Sequence, residues 1–410
     1  AVLRDFQGSQ RHFFNQLGQY RRFLESKLLW VPSAPPPGAA AFREASRAAG
    51  SLLNAAKRGE TLKALALDFG QAWFLAVPVL GGIAVLFWSR RRMRRLLGRL
   101  GKQREDPATD RFSLTLQSLL LTLLLSLALP LFLAFLGWRL QEGAENSDFA
   151  RGVGTALRRT ATPIFFLQAL YHLCLPGGLA EAHFGWSKEV CRRLDRGLSW
   201  YLLFFIPAGF FTALFWSVEG GYRGRGGRLL LMAILIAAVY LFNRVMDRAR
   251  ETPRGSPREP YGSWMDRLRK IGYPLAVGIL LFLAALSAAG YYFTAVRLLS
   301  YIHSSFWLLM GAAVVHELAV RWLAASSAAK GGEERPAVAG KRDPETSSPA
   351  APTPAVPKGD GICFSSEGKQ ARQLLNALIG LGMVIGLLFI WADIFPVLSS
   401  LKQVHFWSQT

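Results

Sequence analysis

Acidic residues, cysteine and histidine are all scarce here. The 410 residues hold 27 Asp and Glu against 48 Lys and Arg, with three cysteines and six histidines. So few carboxylates leave no acidic or amide cluster within the apolar segments, which is what an ion-coupled midplane substrate site calls for. Cys174, Cys191 and Cys363 form an odd, scattered set without a CxxC pair, so they define neither a disulfide framework nor a metal site. The first residues, from Ala1 onward, lack the order of a signal peptide, and the chain is read as a piece of a longer one. A glycine- and arginine-rich stretch (Gly220, Gly221, Gly224, Gly226 and Gly227) resembles a phosphate loop in composition only, because no Walker lysine-serine pair follows it. The expectation is no catalytic residue, no cofactor and no metal.

Apolar residues, by contrast, are plentiful. They make up 51% of a chain whose net charge is +21. A soluble nucleic-acid binder can be as basic, but it does not carry repeated apolar runs of about 20 residues, the length that crosses a bilayer core. The basic excess therefore reads as a topology signal and as attraction to anionic lipid headgroups. Membrane lipids are the expected partner; nucleic acid is not.

The runs predict an all-α, polytopic membrane protein with about eight spans arranged as helical hairpins, at 69–88, 113–137, 157–175, 198–217, 228–246, 271–293, 299–323 and 372–394. Four regions follow: a periplasmic helical segment at 1–67, a seven-span membrane paddle at 68–323, a disordered cytoplasmic linker at 324–371, and an eighth span with a periplasmic end at 372–410. Within the first, Asp5 to Lys27 and Ala40 to Leu53 carry helical spacing. The linker assignment rests on its Ala, Pro, Ser and Gly content, around Ala350–Pro357.

Orientation comes from Lys and Arg in the short connections. The first connection is dense in them, from Arg90, Arg91 and Arg92 to Arg111, and so is the fifth, from Arg248 to Lys270. The second holds only Arg139 and Arg151, and the sixth only Arg297. Odd connections are accordingly placed in the cytoplasm, and the N-terminal segment outside.

Ionisable residues inside spans are the default functional candidates in a membrane. Arg158 and Arg159 sit at the outer end of the third span, where they can snorkel to headgroups. Glu317 and Arg321, four apart after His316, share a helix face and read as a structural pair near the inner interface, with a proton or ion role as the alternative. Asp393 reads as solvated, and His172 as an interface contact rather than a ligand. Pro78, Pro130, Pro163, Pro207 and Pro274 read as kinks or helix starts. Gly81, Gly82, Gly278, Gly290, Gly380, Gly382 and Gly386 read as positions of close helix approach. Leu, Ile, Met and Phe between the glycines of the last span exclude it as a pore lining.

Four stretches carry a resemblance. Leu28-Leu29-Trp30-Val31-Pro32 precedes the first span. Leu175-Pro176-Gly177-Gly178-Leu179-Ala180-Glu181-Ala182-His183-Phe184-Gly185-Trp186 follows the third. Gly290-Tyr291-Tyr292-Phe293-Thr294-Ala295 lies at an outer span end, and His316-Glu317-Leu318 with Arg321-Trp322-Leu323 at an inner one. In this order they resemble the large multi-span members, the MscK and MscM branch, of the MscS family of mechanosensitive channels in Gram-negative bacteria. The resemblance implies peripheral, tension-sensing helices of an inner-membrane channel active in osmotic protection. It further implies a homo-oligomer, a heptamer, whose ions pass through a pore outside this chain. A secondary transporter or another polytopic membrane protein is the alternative.

Overall fold

The computed structural model describes residues 55–103, 112–144, 147–184, 188–218, 225–247, 264–331 and 366–392, with Trp186 and isolated earlier positions. Among the described residues there is no strand. The helices are α1 (Ala55–Gln71), α2 (Trp73–Gln103), α3 (Phe112–Gly143), α4 (Asp148–Leu173), α5 (Lys188–Val218), α6 (Arg225–Asp247), α7 (Trp264–Ala288), α8 (Tyr292–Gly331) and α9 (Ser366–Trp391). A one-turn π-helix, Leu179–His183, lies between α4 and α5.

Each expected span falls on one of the helices α2 to α9. Six are long and apolar enough to cross a membrane: α2, α3, α5, α6, α8 and α9. The apolar part of α7, Gly272–Ala288, is shorter, and α4 carries Arg151, Arg158 and Arg159 on its first half. The expected count of about eight is thus approximate. The reason is that sidedness and length were read from hydropathy alone, whereas α4 and α7 gain their place by packing between longer neighbours.

Boundaries move where backbone chemistry outweighs hydropathy. The first span begins at Trp73 rather than 69, after a bend at Ala72 that separates it from α1. The sixth ends at Ala288, because Gly290 takes φ +101°, a left-handed value open to glycine but strained for other residues. Arg297, expected in the sixth connection, is therefore inside α8. α8 runs on to Gly331 and α9 starts at Ser366, so both extend into the segment read as linker; 332–365 lie outside the described residues. So do most of 1–54, Cys363, Asp393 and the 219–224 part of the glycine-rich loop. All five prolines sit inside helices, and none starts one.

Helices adjacent in sequence pack on each other from α2 through α9. The core is accordingly a row of small clusters rather than one mass. Leu198, Tyr201 and Ala208 of α5 meet Ile234, Ala237 and Leu241 of α6. Leu231 and Leu235 of α6 meet Leu283 of α7 and the buried Tyr292 and Ala295 of α8. α8 then turns back on α4, stacking Trp307 on Phe166 with centroids 4.7 Å apart.

Close approach is made by glycines other than most of those expected. A Cβ on Gly137 would stand 2.6 Å from the Gly154 carbonyl oxygen, and one on Gly154 2.7 Å from that of Gly137. α3 and α4 thus cross backbone to backbone at a reciprocal glycine contact. Gly197 on α5 admits the Leu241 side chain of α6, and Gly386 on α9 admits Leu308 of α8. Gly81, Gly82, Gly278, Gly380 and Gly382 face open space, with nothing within 4 Å of an added Cβ. Sequence marks a glycine but not the direction it faces.

Candidate functional site

Two polar clusters, at opposite ends of the α3–α4 hairpin, tie the helices together. At the first end, Asp68 of α1 lies against Gly143 of α3, where an added Cβ would be 2.6 Å from the Asp68 Cβ. Its carboxylate accepts two hydrogen bonds from Arg139, from Nε at 2.8 Å and from Nη2 at 2.6 Å. Both side chains are buried, at 7–8% exposure, and the guanidinium also lies 4.9 Å from the Trp138 ring. A fork of this kind meets carboxylate geometry at both oxygens. Around it, Gln141 of α3 donates to Thr155 of α4 at 2.8 Å, while Arg158 of α4 donates to Gln141 at 2.7 Å. Ser147 caps α4 by accepting from the Ala150 N–H. Its hydroxyl also donates to Glu60 of α1 at 3.3 Å. α1, α3 and α4 are held as one unit.

At the other end the Leu175–Trp186 stretch forms a compact hub. Gly177 takes φ +67°, which turns the chain straight out of α4. Its N–H donates to Glu181 Oε2 at 3.0 Å, and the other Glu181 oxygen lies 3.6 Å from Lys188 Nζ. Leu179 and Ala180 are fully buried with Cys174 and Cys191 in one cluster, so two cysteines 17 positions apart in sequence come together. An added Cβ at Gly101 would collide with the Gly177 carbonyl oxygen, so the basic end of α2 rests directly on this turn.

A polar thread enters the bundle from there. His172 is buried, and its Nδ1 lies 3.2 Å from Ser126 Oγ of α3. The Ser126 hydroxyl already donates to the Thr122 carbonyl at 2.7 Å, so Nδ1 carries the proton of the histidine contact. Thr122 in turn donates to the Ser118 carbonyl, each hydroxyl satisfied by its own helix. Arg90 of α2 reaches the Leu125 carbonyl of α3 at 3.4 Å.

α9 is joined to the rest through α8. Trp391 donates to Ser305 at 3.0 Å, and His316 Nε2 donates to Asn376 Oδ1 at 2.9 Å. Glu317 lies 3.7 Å from the other ring nitrogen of His316. His316 therefore sits at a helix-to-helix contact, with Glu317 beside it on its own helix. Arg158 and Arg159 are both exposed on α4, as snorkelling requires. Among the described residues no group of three His, Cys, Asp or Glu side chains is placed to hold a metal.

Two of these pairings, Asp68 with Arg139 and Cys174 with Cys191, are not legible in the sequence. Asp68 stands at the start of an apolar run and was absorbed into it. Arg139 was counted only as a loop charge. The Cys174–Cys191 meeting depends on the π-turn. The signal available for the first was simple: a carboxylate next to a span needs a cation, and Arg139 is the first one after the hairpin of the next two spans.

The remaining property is exposure. Of the most apolar 18 residues in α2 only 11% are buried, and none in α8 or α9, against 39% in α6. On α2 the side chains of Trp73, Phe74, Val77, Val85 and Trp88 all point outward, Trp88 at 91% exposure. Such a surface marks contact with lipid or with another protein surface rather than with water.

Long apolar helices and broad exposed apolar surfaces define a polytopic helical membrane domain. Residues 73–407 match the family described as mechanosensitive ion channel inner membrane domain 1, and the chain belongs to that family. It is similar to the miniconductance mechanosensitive channel MscM of Escherichia coli K12, at 24% identity over 351 residues, covering 82% of this chain and 31% of that protein. It is also similar to an uncharacterized MscS family protein of Haemophilus influenzae, at 25% identity over 359 residues, covering 82% and 30%. The chain spans about a third of the length of these relatives. No solved structure matches it.

Proposed function

We propose that this domain senses membrane tension for a channel whose pore lies in another part of the protein. The observation that carries the reading is the outward apolar surface of α2, coupled through Gly101 and Gly177 to the hub and through Arg90 to α3. Tension does work equal to its value times the change in in-plane area. It shifts population toward a wider state only if the two states differ physically in their lipid contact. Helices with most of their surface in lipid supply that difference. The ions pass elsewhere, because no described span presents a continuous small-residue face. In this reading the assembly is a homo-oligomer, a heptamer, in a bacterial inner membrane, its work is osmotic protection, and it performs no enzymatic step.

Reconstituted alone in liposomes, residues 1–410 are expected to give no tension-activated current under patch recording. The full-length protein is expected to give current and to protect channel-deficient bacteria from sudden dilution. A current from the isolated domain would overturn the sensor assignment.

The Lys/Arg asymmetry orients the Asp68 end toward the periplasm and the Cys174 end toward the cytoplasm. In a background lacking Cys174, Cys191 and Cys363, a cysteine at Gln141 is expected to label from outside intact cells. One at Gln103 is expected to label only after permeabilisation. The reverse pattern would invert the orientation.

A further inference from the structure

The outward side of α2 changes character partway along. At 3.6 residues per turn, Trp73, Phe74, Val77, Val85 and Trp88 fall on one arc of about 120°, and each is exposed. Arg91, Arg92, Arg95 and Arg99 continue that same arc over the next turns and are exposed as well. The opposite side of these turns faces the bundle: Leu97 is buried, Gly101 rests on Gly177, and Arg90 reaches the Leu125 carbonyl. The apolar arc is about 22 Å long from Trp73 to Trp88, and Arg91 to Arg99 adds about 12 Å, at 1.5 Å per residue. At 31 residues the helix measures about 46 Å, too long to lie wholly within a hydrocarbon core of about 30 Å.

These four cations have no acidic counterpart among the described residues. α2 holds no Asp or Glu, and none of the four guanidinium groups takes part in an ion pair. Arg95 bonds only to the Arg91 carbonyl of its own helix, at 3.4 Å. Residues three and four apart on a helix have their Cβ atoms about 5–6 Å apart. Arg91 with Arg95, Arg92 with Arg95, and Arg95 with Arg99 can therefore each close on a shared phosphate.

One face that runs apolar, then tryptophan, then cationic follows the layers of a bilayer: acyl chains, interface, phosphates. We propose that Arg91, Arg92, Arg95 and Arg99 form a docking face for the headgroups of anionic phospholipids, which fixes the depth of the basic end of α2 at the membrane surface. An acidic protein surface would match the arginines alone; the unbroken arc from Val77 through Trp88 to Arg99 favours the membrane. The attraction that a net charge of +21 brings is spread over every basic residue, whereas this face is local and selects lipid through one helix. The inference rests on the tension-sensing reading, in which α2 faces lipid. It deepens that reading by making the anionic fraction of the membrane an input to the helix that responds.

Native mass spectrometry of the chain, purified in mild detergent and supplied with phosphatidylglycerol or phosphatidylcholine, tests it. Phosphatidylglycerol is expected to survive mild activation at several-fold higher occupancy than phosphatidylcholine. Arg91→Gln with Arg95→Gln should lower phosphatidylglycerol occupancy at least fivefold and leave phosphatidylcholine unchanged, whereas Arg91→Lys with Arg95→Lys should keep most of it. Arg192→Gln with Arg196→Gln removes two exposed charges at the same spacing and the same end of the bundle, on α5, where Glu189 stands beside Arg192. That pair should stay within twofold of the parent. Equal loss in the two glutamine pairs would mean general electrostatics and overturn the face. Equal retention of the two lipids would also overturn it, and loss of the full-length oligomer in the Arg91→Gln, Arg95→Gln variant would then assign the arginines to a second protein surface. The mass readout needs neither tension nor current, so a failure of the channel reading would leave this result standing, and the reverse.

Discussion

Replacing Asp68 by Ala is expected to destabilise the α1–α3–α4 unit by about 3–5 kcal/mol, because it leaves the Arg139 guanidinium buried without its carboxylate. The cost comes from the stranded charge rather than from the pair's own strength. Trp138 still faces Arg139 once Asp68 is gone, but a cation–π contact of about 2 kcal/mol leaves the buried guanidinium without an opposite charge or an acceptor. The control follows from the same physics: Asp68→Leu combined with Arg139→Leu should recover most of the loss, since an apolar pair of similar volume is often neutral or stabilising. Reversible unfolding in mixed detergent micelles measures both, and protease sensitivity around 55–71 reports whether α1 has detached. A single Asp68→Ala chain as stable as the parent would show that the fork is not what holds α1.

Val77→Asp in the full-length protein is expected to move the opening tension while leaving single-channel conductance unchanged. Val77 is 63% exposed on α2, so the carboxylate enters lipid and displaces no packed neighbour. A charge at the centre of a span costs about 2.5–3.5 kcal/mol on insertion scales, and a short side chain has little reach to the interface. If the cost differs between the two states by only about 1.4 kcal/mol, their ratio changes tenfold at fixed tension. Conductance should not follow if, as proposed, the ions pass through a different part of the protein. Patch recordings that showed altered conductance at an unaltered threshold would place α2 at the pore and refute the sensor role.

Both results depend on features with unequal visibility in the sequence. The helix that carries Val77 was legible: an apolar run of span length gives a membrane helix whatever it packs against. Asp68–Arg139 was not, since its two members are 71 positions apart and each has a bland local explanation. The glycines divide in the same way. Gly386 was expected to sit at a contact and does, whereas Gly380 and Gly382 on the same helix face open space. The 3.6-residue period states which residues share a face but not which face a neighbour covers. Gly137 and Gly154, which make the tightest crossing, were passed over because one ends an apolar run and the other begins an arginine-rich one.

Chain chemistry by itself determined that this protein is helical and belongs in a membrane. Backbone polar groups in lipid have no water to bond, so an apolar run of span length has the helix as its only open-chain solution. Only the tertiary structure decided the rest. It shortened the sixth span at Gly290, buried His172 against Ser126, and brought Cys174 to Cys191 over a π-turn. Each of these depends on the angle and depth at which one helix meets another. In lipid that is set by side-chain packing and a few polar contacts between distant residues, not by the hydropathy of any one segment.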